Sequence, residues 1–130
     1  MRAALADAHV DATDVGYLNA HGTATQIGDV VETAAIKNAF GCASKTLAVS
    51  STKALHGHLM GATGAVEFLA ALCALDRGLI PPTAHLECAD PACDLDYVAN
   101  EARARSLDVV MSNSFGFGGM NAVLVARRYQ

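Results

Sequence analysis

Tryptophan is absent from these 130 residues, and aromatic side chains of all kinds make up only 5%. The core must therefore be filled by aliphatic groups, with the plentiful Ala and Gly allowing close helix–sheet packing. Charge is also scarce: Asp, Glu, Lys and Arg together account for 17%, low for a free-standing soluble domain. That scarcity points to a surface normally covered by something else. The formal net charge is only −4 and no basic stripe runs along the chain, which argues against nucleic acid as a partner. The basic residues near the end, Arg103, Arg105, Arg127 and Arg128, either meet an acidic carrier protein or are solvated surface. No Cys-x-x-Cys pair occurs among Cys42, Cys73, Cys88 and Cys93, and no signal peptide is expected before them. Reduced thiols in a cytoplasmic protein are the expectation. Cys88 and Cys93 with His56 and His58 fit no familiar zinc spacing. Cys73 lies in an apolar run and is expected in the core. That run, Leu59 to Leu75, carries Glu67 at its middle and is interrupted by Gly61 and Gly64. It reads as a buried helix rather than a membrane span.

What is present is enough for one domain over residues 1–130, and 52% hydrophobic residues exclude disorder. Arg2 to Val10 reads as a helix and Tyr17 to Ala20 as a short strand. A loop follows from His21 to Gly28. Asp29 is expected to open a second helix, with Glu32 completing a capping-box-like start. Val31, Ala35 and Ala39, with Ile36 and Phe40, would form its apolar face, and Gly41 would end it. Thr46 to Ser50 reads as a strand and Ser51 to His58 as a polar turn. A long helix runs from about Gly61 to Asp76, apolar almost all round and so buried on most sides. Pro81-Pro82 marks an extended connection, and Glu87 to Asp96 an acidic loop. Tyr97 and Val98 begin a short strand. Ser106 to Ser112 and Ala122 to Ala126 are strands joined as an antiparallel hairpin by a Gly-rich loop, Asn113 to Asn121. Strands alternating with helices predict an α/β layer with a mixed sheet.

Two segments carry chemistry. Asn19-Ala20-His21-Gly22-Thr23-Ala24-Thr25 and the run from Ser51 to Glu67 each set a His beside Gly and small polar residues at the end of a strand. Two imidazoles on separate loops can donate hydrogen bonds to one oxygen and stabilise an enolate or a thioester oxyanion; a neutral imidazole suffices as donor. Glu67 is a lone carboxylate in an apolar helix, costly to bury unless paired, and Lys53 is its expected partner. The hydroxyls of Thr23 and Thr25 either bind a polar substrate arm or make ordinary turn hydrogen bonds. Asp29 and Glu32 are expected to cap rather than catalyse. The loop from Ser114 to Asn121 lacks the ending of a P-loop and leads into a strand, which excludes a nucleotide cradle. Its glycines around Phe117 suggest a movable gate with exposed backbone donors, or a tight hairpin with core Phe residues.

Taken together these residues resemble the β-ketoacyl-acyl-carrier-protein synthases, in the elongating synthase I/II-like branch shared with polyketide ketosynthases. The resemblance rests on Asn19 to Thr25 with Gly28-Asp29 and Glu32; Ser51-Thr52-Lys53 with Gly57-His58 and Gly61 to Glu67; Pro81-Pro82-Thr83; Cys93 to Val98; and Asn113 to Gly119. They occur in the family's order and span the chain.

The resemblance implies the C-terminal half of a thiolase-like fold, a mixed sheet packed with helices, and a decarboxylative Claisen condensation of malonyl-carrier protein with an acyl thioester in fatty-acid or polyketide synthesis. It makes His21 and His58 the catalytic histidines, Lys53 and Glu67 their supporting pair, and Thr23 and Thr25 contacts for the phosphopantetheine arm. Phe117 becomes the gating residue whose backbone N–H helps form an oxyanion hole, with Phe115, Gly116 and Gly118 lining the substrate's path. Asn19, Glu67, Ser112 and Asn113 match a monovalent-cation site of some members; no other cofactor is implied. The implied partners are acyl carrier protein and an N-terminal ketosynthase half or a homodimer mate. None of the four cysteines matches the family's nucleophile, which belongs to that N-terminal half. The isolated chain is therefore expected not to condense. The alternative is an inactive fragment that keeps carrier-protein or partner binding. Two residues depart from the pattern: His56 stands where Ser or Thr is common, and Met120 where a small Thr is common.

Overall fold

The computed structural model describes residues 1–129. Four strands form the main sheet: β1 (Val15–Asn19), β2 (Ala48–Ser50), β5 (Val109–Phe115) and β6 (Asn121–Arg127), in the order β2-β1-β5-β6. The first three are parallel, and β6 returns antiparallel to β5. A small antiparallel pair, β3 (Leu79–Ile80) and β4 (Arg103–Ala104), lies apart from it. The helices are α1 (Arg2–Ala8), α2 (Gln26–Phe40), α3 (Lys53–His56) and α4 (Thr63–Arg77). The mixed α/β sheet expected from the strand–helix alternation is what forms.

Alternation along the strands builds two cores, one on each face of the sheet. Val15 and Leu18 of β1, Val49 of β2, and Val109 and Met111 of β5 pack with Leu5, Ile36 and Phe40 from α1 and α2. Tyr17, Ala48 and Val110 point the other way, toward Ala71, Ala74 and Leu75 of α4. The register slips between Val15 and Tyr17. At that point Gly16 lies so close to Leu107 that a Cβ would stand 2.8 Å from its Cδ2.

Several boundaries differ from the sequence reading. α2 begins at Gln26, with Thr25 as its N-cap, so Asp29 and Glu32 form no capping box. Its buried stripe is Glu32, Thr33, Ile36 and Phe40, while Val31 is exposed. α4 is not buried all round: Thr63, Glu67, Ala71, Ala74 and Leu75 face inward, and Leu69 and Cys73 face out. The reason is that α4 has protein on one side only, packing on β5, β1 and β3. Cys73 is therefore a surface thiol, not a core residue. Asp96 and Ala99 make single β-bridges to Ala48 and Thr83, and Tyr97–Val98 begins no strand. The strand expected at Ser106 to Ser112 starts later and runs to Phe115, consuming the front of the Gly-rich loop.

The chain leaves β1 through a turn in which Gly22 has φ +35°, and a Cβ there would fall 2.7 Å from Ser51 Cβ. Gly22→Ala is expected to cost about 1–3 kcal/mol through overpacking and backbone strain. Urea denaturation of the two proteins measures it, and an unchanged midpoint would contradict the packing described.

Candidate active site

Parallel strands bring their carboxyl ends to one edge of a sheet, where open α/β folds bind ligands. His21 follows β1 and His58 follows β2 by way of α3, while Phe115 ends β5 at the same edge. The rings of His21 and His58 meet edge to face, centroids 5.8 Å apart and planes at 88°. Phe115 lies 5.8 Å from His21 on another side.

The proton positions on the two imidazoles follow from their partners. His58 Nδ1 accepts the Met60 N–H at 3.1 Å and lies 2.9 Å from Thr63 Oγ1. An amide N–H can only donate, so in the neutral ring the proton sits on Nε2. His21 Nδ1 faces the Lys53 ammonium at 3.5 Å. The contact is long, but a proton on Nδ1 would oppose that charge, so His21 also carries its hydrogen on Nε2. Burial, then the charges of Lys53 and His58, hold the His21 pKa below its ordinary value, with Asp29 pulling the other way. In their neutral forms both rings therefore donate through Nε2, and neither Nε2 has a partner among the described residues.

Lys53 supports this pair from below. Its ammonium donates to Glu67 Oε1 and to the His21 carbonyl, besides facing His21 Nδ1. The pair is deeply buried, the Lys53 side chain 6% exposed and the Glu67 side chain 0%. Burial pushes the Glu67 carboxyl up, while the hydrogen bond and charge of Lys53 pull it down. Asn19, also fully buried, donates from Nδ2 to the Glu67 carbonyl and to Thr52 Oγ1, each at 3.0 Å. The pairing expected from the sequence is what the fold builds.

Glu32 is not a helix cap. Its carboxylate accepts the His21 N–H at 2.9 Å, the Gly22 N–H at 2.8 Å and Asn113 Nδ2 at 3.0 Å. Three donors compensate a buried charge, and they tie the His21 turn to α2 and β5 together. The signal available in the sequence was phase: Glu32 shares its helix stripe with Ile36 and Phe40. Asp29 lies nearby, its carboxyl raised by burial and by Glu32, against the opposing pull of the Ala24 and Thr25 amides.

Thr23, Thr25, Asp29, Lys53 and His58 line a cavity of about 620 Å³ together with residues 83–86 and Tyr97. A second hollow of about 390 Å³ holds His21, Gly28, Phe115 and Asn121, and the two share Gly22, Thr23, Asp29 and Glu32. Phe117 lines neither; the residue is 94% exposed, on a turn where Gly118 and Gly119 have φ +73° and +80°. Gly116 N–H closes that turn onto the Met120 carbonyl at 2.7 Å. Asn19, Glu67, Ser112 and Asn113 are all buried, with Asn19 and Ser112 in register across β1 and β5. Among the described residues, Glu67 Oε2 and Asn113 Oδ1 have no hydrogen-bond partner, and no group of three or more His, Cys, Asp or Glu gathers for a metal. Arg103 pairs with Asp96, Arg105 caps the Thr46 carbonyl and Arg128 the Leu75 carbonyl. No helix among the described residues is long and apolar enough to cross a membrane.

Residues 1–87 match the beta-ketoacyl synthase, C-terminal domain. The chain belongs to the beta-ketoacyl synthase family. It is 51% identical over 130 residues to 3-oxoacyl-[acyl-carrier-protein] synthase 2 of Staphylococcus aureus (strain COL), covering all of this chain and 31% of that protein. The ishigamide ketosynthase/chain length factor superposes with a TM-score of 0.95 at 38% identity, over 99% of this chain and 32% of that one. A type II polyketide-synthase ketosynthase, bound to a hexaketide and in complex with its acyl-carrier protein, gives 0.95 at 32% identity, over 98% and 31%. The chain thus spans about a third of the length of these beta-ketoacyl synthase relatives.

Removing one member of the buried pair strands the other. Lys53→Met is expected to cost about 3–5 kcal/mol, and Lys53→Met with Glu67→Gln distinctly less. Denaturant unfolding of the two variants checks this; equal losses would show that Glu67 is not the group left uncompensated. A second expectation concerns pH. Because the His21 pKa is lowered in the fold, the unfolded chain takes up that proton first as pH falls. The stability it contributes is fully present above its ordinary value of 6.5 and is lost as pH falls through the lowered one. Unfolding midpoints between pH 8 and pH 5 should show this slope, and His21→Gln should flatten it.

Proposed function

We propose that this chain supplies the histidine side of a 3-oxoacyl-[acyl-carrier-protein] synthase site. The observation that carries the reading is the pair of adjacent imidazoles whose neutral forms carry the proton on Nε2, His21 held by Lys53 and Glu32 and His58 by Met60 and Thr63. Two such donors suit the thioester oxygen of a malonyl group. As the bond between the malonyl carboxylate and its α-carbon breaks, CO2 leaves and the bond's electron pair passes into an enolate. The hydrogen bonds of His21 and His58 stabilise its oxygen. The enolate carbon then attacks the carbonyl of an acyl thioester, and the thiolate departs. Neutral donors do this without protonating the carbanion, which would end the reaction in simple decarboxylation.

The acyl thioester requires a nucleophilic cysteine. Cys42, Cys73 and Cys88 are exposed and Cys93 is half-buried, and none matches the family's nucleophile. The reading therefore assigns that group to an N-terminal ketosynthase half outside these residues, with a homodimer mate completing the assembly. Acyl carrier protein is the proposed partner, supported by the relative solved with its own carrier. Its phosphopantetheine arm would run along Thr23 and Thr25, beside Gly28, where a Cβ would collide with Thr25 Oγ1. The backbone N–H of Phe117 is assigned to the oxyanion of the second step, with Gly116 and Gly118 permitting its approach. The hard oxygen donors of Asn19, Glu67, Ser112 and Asn113 suit a monovalent cation, and the unpaired Glu67 Oε2 and Asn113 Oδ1 fit such a site. A bound cation there would offset the buried Glu67 charge. The compartment in this reading is the cytoplasm, and the pathway is fatty-acid or polyketide synthesis.

The test combines the chain with a ketosynthase N-terminal half, acyl-carrier protein and malonyl-carrier protein. CO2 and ketoacyl product should form only in the mixture. His58→Ala and His21→Ala should each lower condensation on the order of 10²–10³-fold. Condensation by the purified chain alone, or full activity after His58→Ala, would overturn the reading. Association without product would favour the binding-only alternative.

A further inference from the structure

A third imidazole, His56, belongs to the turn that delivers His58, and its hydrogen bonds form a relay whose direction can be read from one end to the other. Asn19 Nδ2 lies 3.0 Å from the Glu67 carbonyl, an acceptor only, so the carboxamide orientation is fixed. Its other hydrogen goes to Thr52 Oγ1 at 3.0 Å. The Thr52 hydroxyl proton then has two places to go: His56 Nε2 at 3.0 Å, or back to Asn19 Oδ1 at a longer 3.4 Å. His56 Nδ1 lies 2.7 Å from the Gly57 carbonyl, again an acceptor only, and must carry the ring proton. In the neutral ring Nε2 is then bare, and it accepts from Thr52. The donations run one way, from Asn19 through Thr52 and His56 to the Gly57 carbonyl.

We infer that His56 is a positioning residue for His58, a neutral Nδ1–H imidazole that locks the Thr52 hydroxyl in one direction and holds the Gly57 carbonyl in the turn. The turn needs holding. Gly57 has φ +78° and Met60, which donates to His58 Nδ1, has φ +51°. Thr52 is buried, whereas His56 is half-buried and Gly57 exposed, so water competes for the last link unless the imidazole occupies it. The relay also joins this turn to β1 and α4 through Asn19 and the Glu67 carbonyl, the same groups that frame the Lys53–Glu67 pair. His56 thus takes the tautomer opposite to that of His21 and His58. This inference rests on the reading of His58 as a site residue, but its geometry stands apart from any activity.

The test is long-range ¹H–¹⁵N correlation on the ¹⁵N-labelled chain at a pH where the imidazoles are neutral. His56 should show a protonated Nδ1 and a bare Nε2, with His58 the reverse. His56→Phe should shift the His58 ring and Met60 amide signals and speed amide exchange from Gly57 to Met60 about tenfold, the loss of one hydrogen bond. His56→Asn, whose amide nitrogen replaces Nδ1, should restore the Gly57 link and most of the His58 spectrum. An Nε2–H or averaged tautomer at His56 overturns the inference, as does a His56→Phe spectrum with His58 and Met60 unmoved. Should His56→Phe fail to fold, the wild-type tautomer alone decides. A reconstituted synthase that fails to condense while this spectrum is as expected counts against the proposed function and not against the relay.

Discussion

The ion pair between Lys53 and Glu67 is the constraint from which the rest of the site follows. Two opposite charges removed from water are tolerable only when geometry is good and the remaining polar atoms are engaged. Lys53 meets its share of that demand by spending its hydrogens on Glu67 and on the two His21 acceptors, Nδ1 and the carbonyl, while Glu67 Oε2 has no partner among the described residues. One desolvated ammonium thereby does three things: it fixes α3 against α4, orients the turn after β1, and disfavours a proton on His21 Nδ1. Glu32 anchors the same turn from the opposite side through the His21 and Gly22 amides. His21 is held between a cation and an anion, each on a different helix, and has little freedom to move with either.

Much of this was legible in the residues, and for identifiable reasons. A carboxylate inside an apolar helix has few ways to be satisfied, so Glu67 pointed to Lys53. Histidines among Gly and small polar residues after strands pointed to a shared edge of a sheet. Glu32 was misread because a carboxylate near a helix start usually serves the helix's own amides. Here the helix begins three residues before Asp29, which moves Glu32 out of the first turn and onto the inward stripe. Cys73 was misread because hydropathy reports what a face prefers, not what lies beside it. α4 has a sheet on one side and no further layer of these residues on the other.

The tautomers lie still further from sequence. No pattern of residue types states which ring nitrogen carries a proton; that depends on whether the neighbour is an amide, a carbonyl or an ammonium. The motif repeats a small alphabet of His, Gly and Thr, yet His56 and His58, two residues apart, carry their protons on different nitrogens. The difference comes from Gly57 and Met60, whose positive φ angles turn a carbonyl toward one ring and an N–H toward the other.

The lone antiparallel strand of the main sheet has a mechanical consequence. Parallel neighbours such as β1 and β2 are joined by crossovers through helices buried in a core, so displacing either connection means unpacking that core. β5 and β6 are joined instead by a hairpin turn at the histidine edge, with a 94% exposed Phe117 at its tip and open space around Gly118 and Gly119. Among the described residues, nothing packs within 4 Å of the Cβ position of Gly118 or Gly119. A substitution in that turn is therefore expected to leave both cores and the charge clamps around His21 in register.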